Sequence, residues 1–468
     1  MASIDNIKNI HFVGIGGISM SGLAEIMLNA GYKVTGSDVS NSKIIERLVT
    51  KGAVISIPHD SKNVEGSELV VYTAAVKKDN AELVRAGELS IPVMDRAEFL
   101  GIIMKKHQYG IAISGCHGKT TTTSMVSLIF KNANLDPTIL LGGELDAIDG
   151  NVLVGSSDYF ITEACEYFES FLKFHPYVGA ILNVEEDHLD YFKDIDHIMS
   201  AFYKFAALIP KDGSLVVCAD NENAMKVAAS AQCNVISYGI ENPADYMAAN
   251  IHFDKLGHPG YDVYYKNNKI GEFALNIPGK HNILNSLAAI AMAVNAGIDI
   301  ETIKASLLQF RGTYRRFDIQ GTHSDVTVID DYAHHPTEIK ATLDAAIQFP
   351  HKRVWCIFQP HTYSRTKTLF NDFAKAFYHA DKVIIADIYS ASREKDNGDI
   401  HSTDLVNGIN QNSNNAVYLK DFLEIADMIA REAEPGDIVF TMGAGDVFKL
   451  GAMILDRLKE NECTNCAC

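Results

Sequence analysis

Short apolar runs that end in glycine or hydroxyl residues, each followed by an amphipathic stretch, recur along almost the whole chain. The first such run, His11-Phe12-Val13, passes through Gly14-Ile15-Gly16-Gly17 into an amphipathic segment reaching Ala30 and a second strand over 32–38. Further strands are predicted at 68–72, 111–114, 158–162, 178–183 and 215–219, with helices over 124–130 and 287–293 and a hairpin over 261–275 turning at Asn267-Asn268. A third series follows: strands at 326–330, 353–358, 382–386 and 437–442, and helices from Thr337, from Thr368 and over 423–431. Strand and helix alternating in this way predict an α/β fold built on parallel sheets. The pattern changes at Lys105-Lys106-His107 and again at Arg315-Arg316-Phe317-Asp318, which divides the chain into 1–106, 107–316 and 317–468.

A length of 468 residues suits about three domains, and 47% hydrophobic against 21% charged residues supplies buried sheets rather than extended disorder. No apolar run is long enough to span a bilayer, and the N-terminus lacks a basic start followed by an apolar stretch. The expectation is a cytoplasmic protein without membrane insertion. A net charge of −18 argues against nucleic acid as a partner and requires any anionic substrate to be met by local cations or N–H donors. Five of the eight cysteines are scattered, as reduced cytosolic thiols are; Cys463, Cys466 and Cys468 crowd the tail, either as a weak metal or redox site or as an incidental terminus.

The sequence with the most chemical content is Gly115-Cys116-His117-Gly118-Lys119-Thr120-Thr121, set between a predicted strand and a predicted helix. Its glycines let backbone N–H groups turn inward, the helix N-terminus adds partial positive charge, Lys119 reaches terminal phosphates and the Thr120 hydroxyl ligates Mg2+. The loop reads G-x-x-G-K-T, shorter than the general pattern, which indicates a subclass. A glycine turn before an incidental lysine is the competing reading, and the order of strand, loop, Lys-Thr and helix disfavours it. At Gly14 to Gly17 a dinucleotide-like turn lacks its third glycine, because Ser19 stands there and the next glycine is Gly22. NAD is thereby weakened and another diphosphate remains. The turn Thr73-Ala74-Ala75 belongs on the same sheet edge, as a second binding turn or an ordinary strand-to-helix connection.

Glu163 closes a strand where a carboxylate positions nucleotide-bound Mg2+. His188, within Asn183-Val184-Glu185-Glu186-Asp187-His188-Leu189-Asp190, is a ligand for a second divalent ion or part of a solvated acidic loop. Asn282 and Asn285 on adjacent turns suit the N6/N7 edge of adenine, with helix capping as the competitor for Asn282. Asp330 to Pro336 and Phe358 to Arg365 end neighbouring strands and present His, Tyr and Arg together, as a small carboxylate requires. Zinc on His334, His335 and His361 is the alternative, disfavoured because adjacent histidines ligate one ion poorly.

Taken in order, GCHGKTT, EACEYFESFL, NVEEDHLDYF, GKHNILN, RRFD, DDYAHHP, FQPHTYSR and MGAGD resemble the Mur ligase family of peptidoglycan synthesis from residue 10 to about 450. The resemblance implies an N-terminal Rossmann-like domain, a central P-loop ATPase-like α/β domain and a C-terminal Rossmann-like α/β domain. It implies an acid–amino-acid ligase using ATP with Mg2+ or Mn2+, and UDP-N-acetylmuramate and L-alanine as substrates; a murein peptide recycling ligase of the same group is the alternative. By the same resemblance the UDP-sugar lies over Gly16, Gly17, Ile18 and Ser19, with Ser37, Asp38, Thr73 and Ala74. ATP lies on Gly115, Cys116, His117, Gly118, Lys119, Thr120 and Thr121, with its adenosine among His281, Asn282, Asn285, Arg316 and Asp331. Thr120, Glu163 and His188 serve the metal, and Tyr332, His334 and Arg365 form the amino-acid pocket. Lys119, His188 and His334 are the catalytic candidates. Two departures stand out: Thr362 replaces a second arginine common in relatives, and EACEY replaces EADES, which leaves Glu166 without an assigned role. An NAD-dependent oxidoreductase and a non-catalytic nucleotide-binding regulator are the rivals from other classes, and both monomer and homodimer are compatible with the sequence.

Overall fold

A computed structural model describes residues 4, 6–391, 394–413 and 415–466, with side chains as far as residue 461. The side chains of Cys463 and Cys466, and the whole of Cys468, lie outside the described residues. The chain forms two compact units, Met1–Val184 with Met199–Asn242 and Ala288–Ile303, and Glu185–Ile198 with Pro243–Leu287 and Lys304–Cys468.

The first unit opens with β1 (Asn9–Val13), α1 (Ile18–Asn29), β2 (Lys33–Ser37), α2 (Lys43–Thr50), β3 (Val54–Ser56), β4 (Leu69–Tyr72), α3 (Ala81–Glu88), β5 (Val93–Asp95) and α4 (Arg96–Met104). These strands lie all parallel in the order β3-β2-β1-β4-β5. Ile10, Phe12, Val13, Val70 and Val71 are fully buried, as unbroken apolar runs must be in a sheet covered on both faces. Strand order reverses at β1, so the turns after β1 and β4 leave in opposite directions and open a crevice at their carboxyl ends.

The chain continues through β6 (Tyr109–Ser114), α5 (Lys119–Asn132), β7 (Thr138–Leu145), β8 (Gly150–Leu153), β9 (Tyr159–Glu163), β10 (Val178–Ile181), α6 (Ile195–Ala207), β11 (Ser214–Cys218), α7 (Glu222–Ala228) and β12 (Asn234–Gly239). Strand order is β8-β7-β9-β6-β10-β11-β12, with β8 antiparallel to β7 and the other pairs parallel. β6 therefore sits between β9 and β10, and the loop that follows it emerges beside the ends of both.

In the second unit, β13 (Tyr246–Phe253), β14 (Pro259–Tyr265) and β15 (Asn268–Ala274) form an antiparallel meander. The expected hairpin is present, but its turn is Lys266-Asn267, with φ of 45° and 68°, one residue ahead of the expected Asn267-Asn268. An irregularity in register at Val263/Tyr264 moves the pairing by that residue. The Tyr261 hydroxyl meets Ser286 Oγ at 2.5 Å and fastens β14 to α8 (Lys280–Asn295).

After α9 (Ile300–Gln309) come β16 (Asp318–His323), β17 (Val326–Asp331), α10 (Pro336–Ala346), β18 (Val354–Phe358), α11 (Tyr363–Thr368), β19 (Lys382–Ile385), β20 (Ala416–Tyr418) and β21 (Ile438–Met442). Their order is β16-β17-β21-β18-β19-β20, parallel except for the edge strand β16. Alternation along β18 sends Val354, Cys356 and Phe358 into one apolar layer and Trp355 and Ile357 into the other. The helix expected from Thr368 instead begins at Tyr363 and breaks at Leu369. Its start lies upstream because the Glu394 carboxylate accepts from the N–H groups of Tyr363 and Ser364 at 2.7 and 3.1 Å.

Candidate functional site

The turn from β6 into α5 has the backbone that its glycines foretell. Gly115 has φ of 142° and Gly118, at the helix cap, 82°. A Cβ on Gly115 would stand 3.0 Å from Leu182 Cβ and 3.1 Å from the Asn183 nitrogen, so a side chain here would be both crowded and strained. Asn183 clamps the loop with both ends of its amide: Oδ1 accepts from His117 N–H at 2.8 Å and Nδ2 donates to the His117 carbonyl at 3.1 Å. Asn183 is a functional residue that its acidic surroundings conceal in the sequence; its signal is a carboxamide at the end of the strand next to the loop.

Lys119 folds back over this turn. Its ammonium donates to the carbonyl of Cys116 at 3.1 Å, to that of Gly115, and to Glu166 Oε2 at 3.0 Å. Burial pulls its pKa down, but the adjacent Glu166 carboxylate outweighs this and raises it, so the group stays charged. Glu166 thus gains a role that the motif comparison left open. One residue along α5, the Thr120 hydroxyl donates to Glu163 Oε2 at 3.0 Å, while Glu163 Oε1 accepts from Gly142 N–H on β7 at 2.7 Å. Two hard oxygen donors therefore stand side by side at the loop, the donor chemistry that Mg2+ prefers. Cys165 next to them is pushed up to about 11, chiefly by burial and then by Glu166, and is a neutral thiol at pH 7.

The first glycine turn is equally well held. Gly14 and Ile15 donate to the Ser37 carbonyl at 2.9 and 3.0 Å, and Gly16 N–H donates to Asp38 Oδ2 at 2.8 Å. Ser37 meets the loop through its carbonyl, because its buried hydroxyl points inward to Glu82 at 2.5 Å and His59 at 2.8 Å. Thr73 packs against Gly14, where an added Cβ would come within 2.7 Å of the Thr73 methyl, and Ala74 follows in the same turn. Arg96, at the start of α4, donates to Ser19 Oγ at 2.9 Å and supplies a cation that motif reading did not assign to this turn.

In the second unit, Asn282 and Asn285 are buried and linked, Asn285 Nδ2 to Asn282 Oδ1 at 3.0 Å, with Asn282 Nδ2 donating to the Pro278 carbonyl at 2.7 Å. His281 beside them is lowered to about 4 by burial and then by the charge of Arg316. Asp331 is raised to about 6 by burial, against the pull of Arg316 and of the N–H groups of Phe317 and Ala333. Arg316 lies over the Tyr332 ring at 5.1 Å. Arg315, its neighbour, is structural: it pairs with Asp330 at 2.8 Å and donates to the Gly443 carbonyl at 2.6 Å, which fixes the Gly443-Ala444-Gly445-Asp446 turn.

Arg365 donates to Asp187 Oδ1 at 2.8 Å and meets His361 Nδ1 at 3.0 Å. His188 follows Asp187 with a left-handed φ of 52°, and these residues line a small cavity with Leu189, Asp190, Ser364, Thr368 and Leu369. Asp187 was not among the expected site residues. His334 Nδ1 lies 3.0 Å from the Tyr332 carbonyl, an atom that only accepts, so Nδ1 carries the hydrogen and Nε2 the lone pair. Burial lowers its pKa to about 4 in spite of Glu338. His335 is occupied elsewhere, capping α10 and bonded through Nε2 to the Glu186 carbonyl at 3.1 Å.

Comparison with known proteins matches residues 9–108 to "Mur ligase family, catalytic domain", 113–293 to "Mur ligase middle domain" and 315–445 to "Mur ligase, glutamate ligase domain". The UDP-N-acetylmuramate--L-alanine ligase of Caldanaerobacter subterraneus subsp. tengcongensis is 53% identical over 457 residues, covering 98% of this chain and 99% of that protein. Among solved structures, UDP-N-acetylmuramate-alanine ligase from Thermotoga maritima superposes with a TM-score of 0.82 at 29% identity, over 97% of this chain and 99% of that one. A murein peptide ligase from Psychrobacter arcticus shares the fold, with a TM-score of 0.72 at 24% identity over 96% of this chain and 98% of its own.

Proposed function

The chain belongs to the Mur ligase family, and from that premise we infer that it is an ATP-dependent ligase joining L-alanine to the lactyl carboxylate of UDP-N-acetylmuramate, with release of ADP and phosphate. The observation that carries this reading is the phosphate loop with a charged Lys119 folded over it, in a chain that matches alanine-adding ligases from end to end. Three domains, 1–106, 107–316 and 317–468, receive sugar nucleotide, ATP and amino acid respectively.

We assign the diphosphate of the sugar nucleotide to the turn Gly16, Gly17, Ile18 and Ser19, with Arg96 as a neighbouring cation. Residues 115–121 receive the triphosphate of ATP. Mg2+ would be held by Thr120 and Glu163, with His188 as a further ligand, and supplies charge neutralisation between phosphates and carboxylate. Adenosine falls to His281, Asn282, Asn285, Arg316 and Asp331.

The muramate carboxylate is ionised at pH 7 and attacks the γ-phosphorus without a general base, provided that Lys119 offsets the repulsion between the two anions. An acyl phosphate and ADP result. Alanine, its carboxylate gripped by Arg365 within the Tyr332 and His334 pocket, must then lose an ammonium proton. His334, with its lone pair on Nε2, or an adjacent phosphate oxygen takes that proton. The free amine attacks the acyl carbon, and the tetrahedral intermediate expels phosphate. Phosphate release that requires both UDP-N-acetylmuramate and L-alanine is the decisive assay. Release supported by murein tripeptide instead of alanine would reassign the chain to the recycling branch, and release without either substrate would remove the ligase reading.

A further inference from the structure

Gly22, the glycine that the dinucleotide pattern does not require, lies inside α1, where a Cβ would stand 2.3 Å from Leu140 Cδ1 and 3.1 Å from Asn151 Nδ2. It is small because α1 is pressed against the β7–β8 hairpin. Asn151 is buried there and donates from Nδ2 to the Ile18 carbonyl at 2.7 Å, the first carbonyl of α1. Arg47 of α2 adds a bond to the Asp149 carbonyl at 2.8 Å on the same hairpin. Two residues beyond Leu140, the same β7 delivers the Gly142 N–H to Glu163 Oε1 at 2.7 Å, and the other oxygen of that carboxylate holds Thr120. A Cβ on Gly142 would come within 2.8 Å of Glu163 Oε2, so glycine here too permits the approach.

We propose that the β7–β8 hairpin is a brace between the two phosphate-binding turns, with Asn151 as the positioning residue that fixes the sugar-nucleotide turn relative to the Thr120–Glu163 pair. The proposal rests on the substrate assignment above. Physically, the Ile18 carbonyl is tied down from outside its helix, so the adjoining turn from Gly16 to Ser19 keeps one orientation. That orientation is referred to the ATP turn through a single two-stranded element rather than through a flexible linker.

The test is steady-state kinetics on the full-length enzyme carrying Asn151→Asp, which keeps size but sets an oxygen against the Ile18 carbonyl, or Asn151→Ala. The expected result is a rise of about tenfold in KM for UDP-N-acetylmuramate, the scale of one buried hydrogen bond, while KM for ATP stays within about twofold. Calorimetric titration should also show that ADP with Mg2+ tightens sugar-nucleotide binding in the wild type by about fivefold or more, and that this coupling is lost in the variants. Should Asn151→Asp fail to fold, Asn151→Ala carries the same reading. An unchanged KM for the sugar nucleotide overturns the proposal. An equal rise for both nucleotides also overturns it, because that is what general loosening would give. Wild-type enzyme that releases phosphate without the sugar nucleotide would instead overturn the substrate assignment on which it rests.

Discussion

Lys119 and His334 are almost equally shielded, with side chains 15% and 16% exposed, yet one stays charged and the other stays neutral. Each has a carboxylate close by, Glu166 at 3.0 Å and Glu338 at 3.2 Å. The difference lies first in the ordinary values of the two groups, about 10.4 for lysine and about 6.5 for histidine, and then in what surrounds them. Lys119 has two loop carbonyls and a carboxylate that is itself buried, so every neighbour favours the cation. His334 is lowered chiefly by burial, with the guanidinium of Arg365 adding to it, against Glu338, Asp187 and the Tyr332 carbonyl. Near one carboxylate, a group's ordinary value and its burial decide whether the neighbouring charges suffice to hold it charged. The turn before α5 thereby keeps a permanent cation, and the histidine stays uncharged.

Glu166→Gln attacks the first half of this contrast most directly. Removing one partner of a buried ion pair should cost about 3 kcal/mol of stability, read as a lowered denaturant midpoint. An unchanged midpoint would mean that the loop carbonyls alone hold Lys119. Lys119→Ala should lower turnover at least about a hundredfold, about 2.7 kcal/mol of lost charge stabilisation; near wild-type turnover would detach the loop from the chemistry. On the other side, Arg365→Ala should raise KM for alanine about tenfold with KM for ATP little changed, since one charged hydrogen-bonding group is lost. An effect on ATP alone would show that Arg365 belongs to a different pocket.

The smallest expected effect is on pH. His281 and His334, lowered to about 4, are neutral when folded, whereas an unfolded histidine titrates near about 6.5. The unfolded chain therefore binds protons first, and the stability that these groups contribute above pH 6.5 is lost as pH falls towards 4. Asp331, raised to about 6, opposes this over the lower part of the range, but one carboxylate offsets only one of the two histidines. Melting temperature should fall between pH 7 and pH 5, and His281→Gln with His334→Gln should flatten that fall. A steeper decline in the double variant would contradict the assigned neutrality.

The two regions also differ in how visible they were before the fold was known. The glycine turn between β6 and α5 could be read from seven consecutive residues, because glycine conformation and a helix start act over a single turn. The alternation of apolar runs likewise determined an α/β chain of parallel sheets, since side-chain period and loop chemistry are local properties. Tertiary structure alone decided what lies across space: that Glu166 pairs with Lys119 and keeps it charged, that Asn183 clamps its loop, that Asp187 holds Arg365, and that Glu394 moves the start of α11 upstream. Tertiary structure likewise turned the Ser37 hydroxyl inward and made Gly22 a packing residue. These partners are separated by tens to hundreds of positions along the chain, and only burial at short distance gives such pairs the strength to set a charge state or a backbone angle.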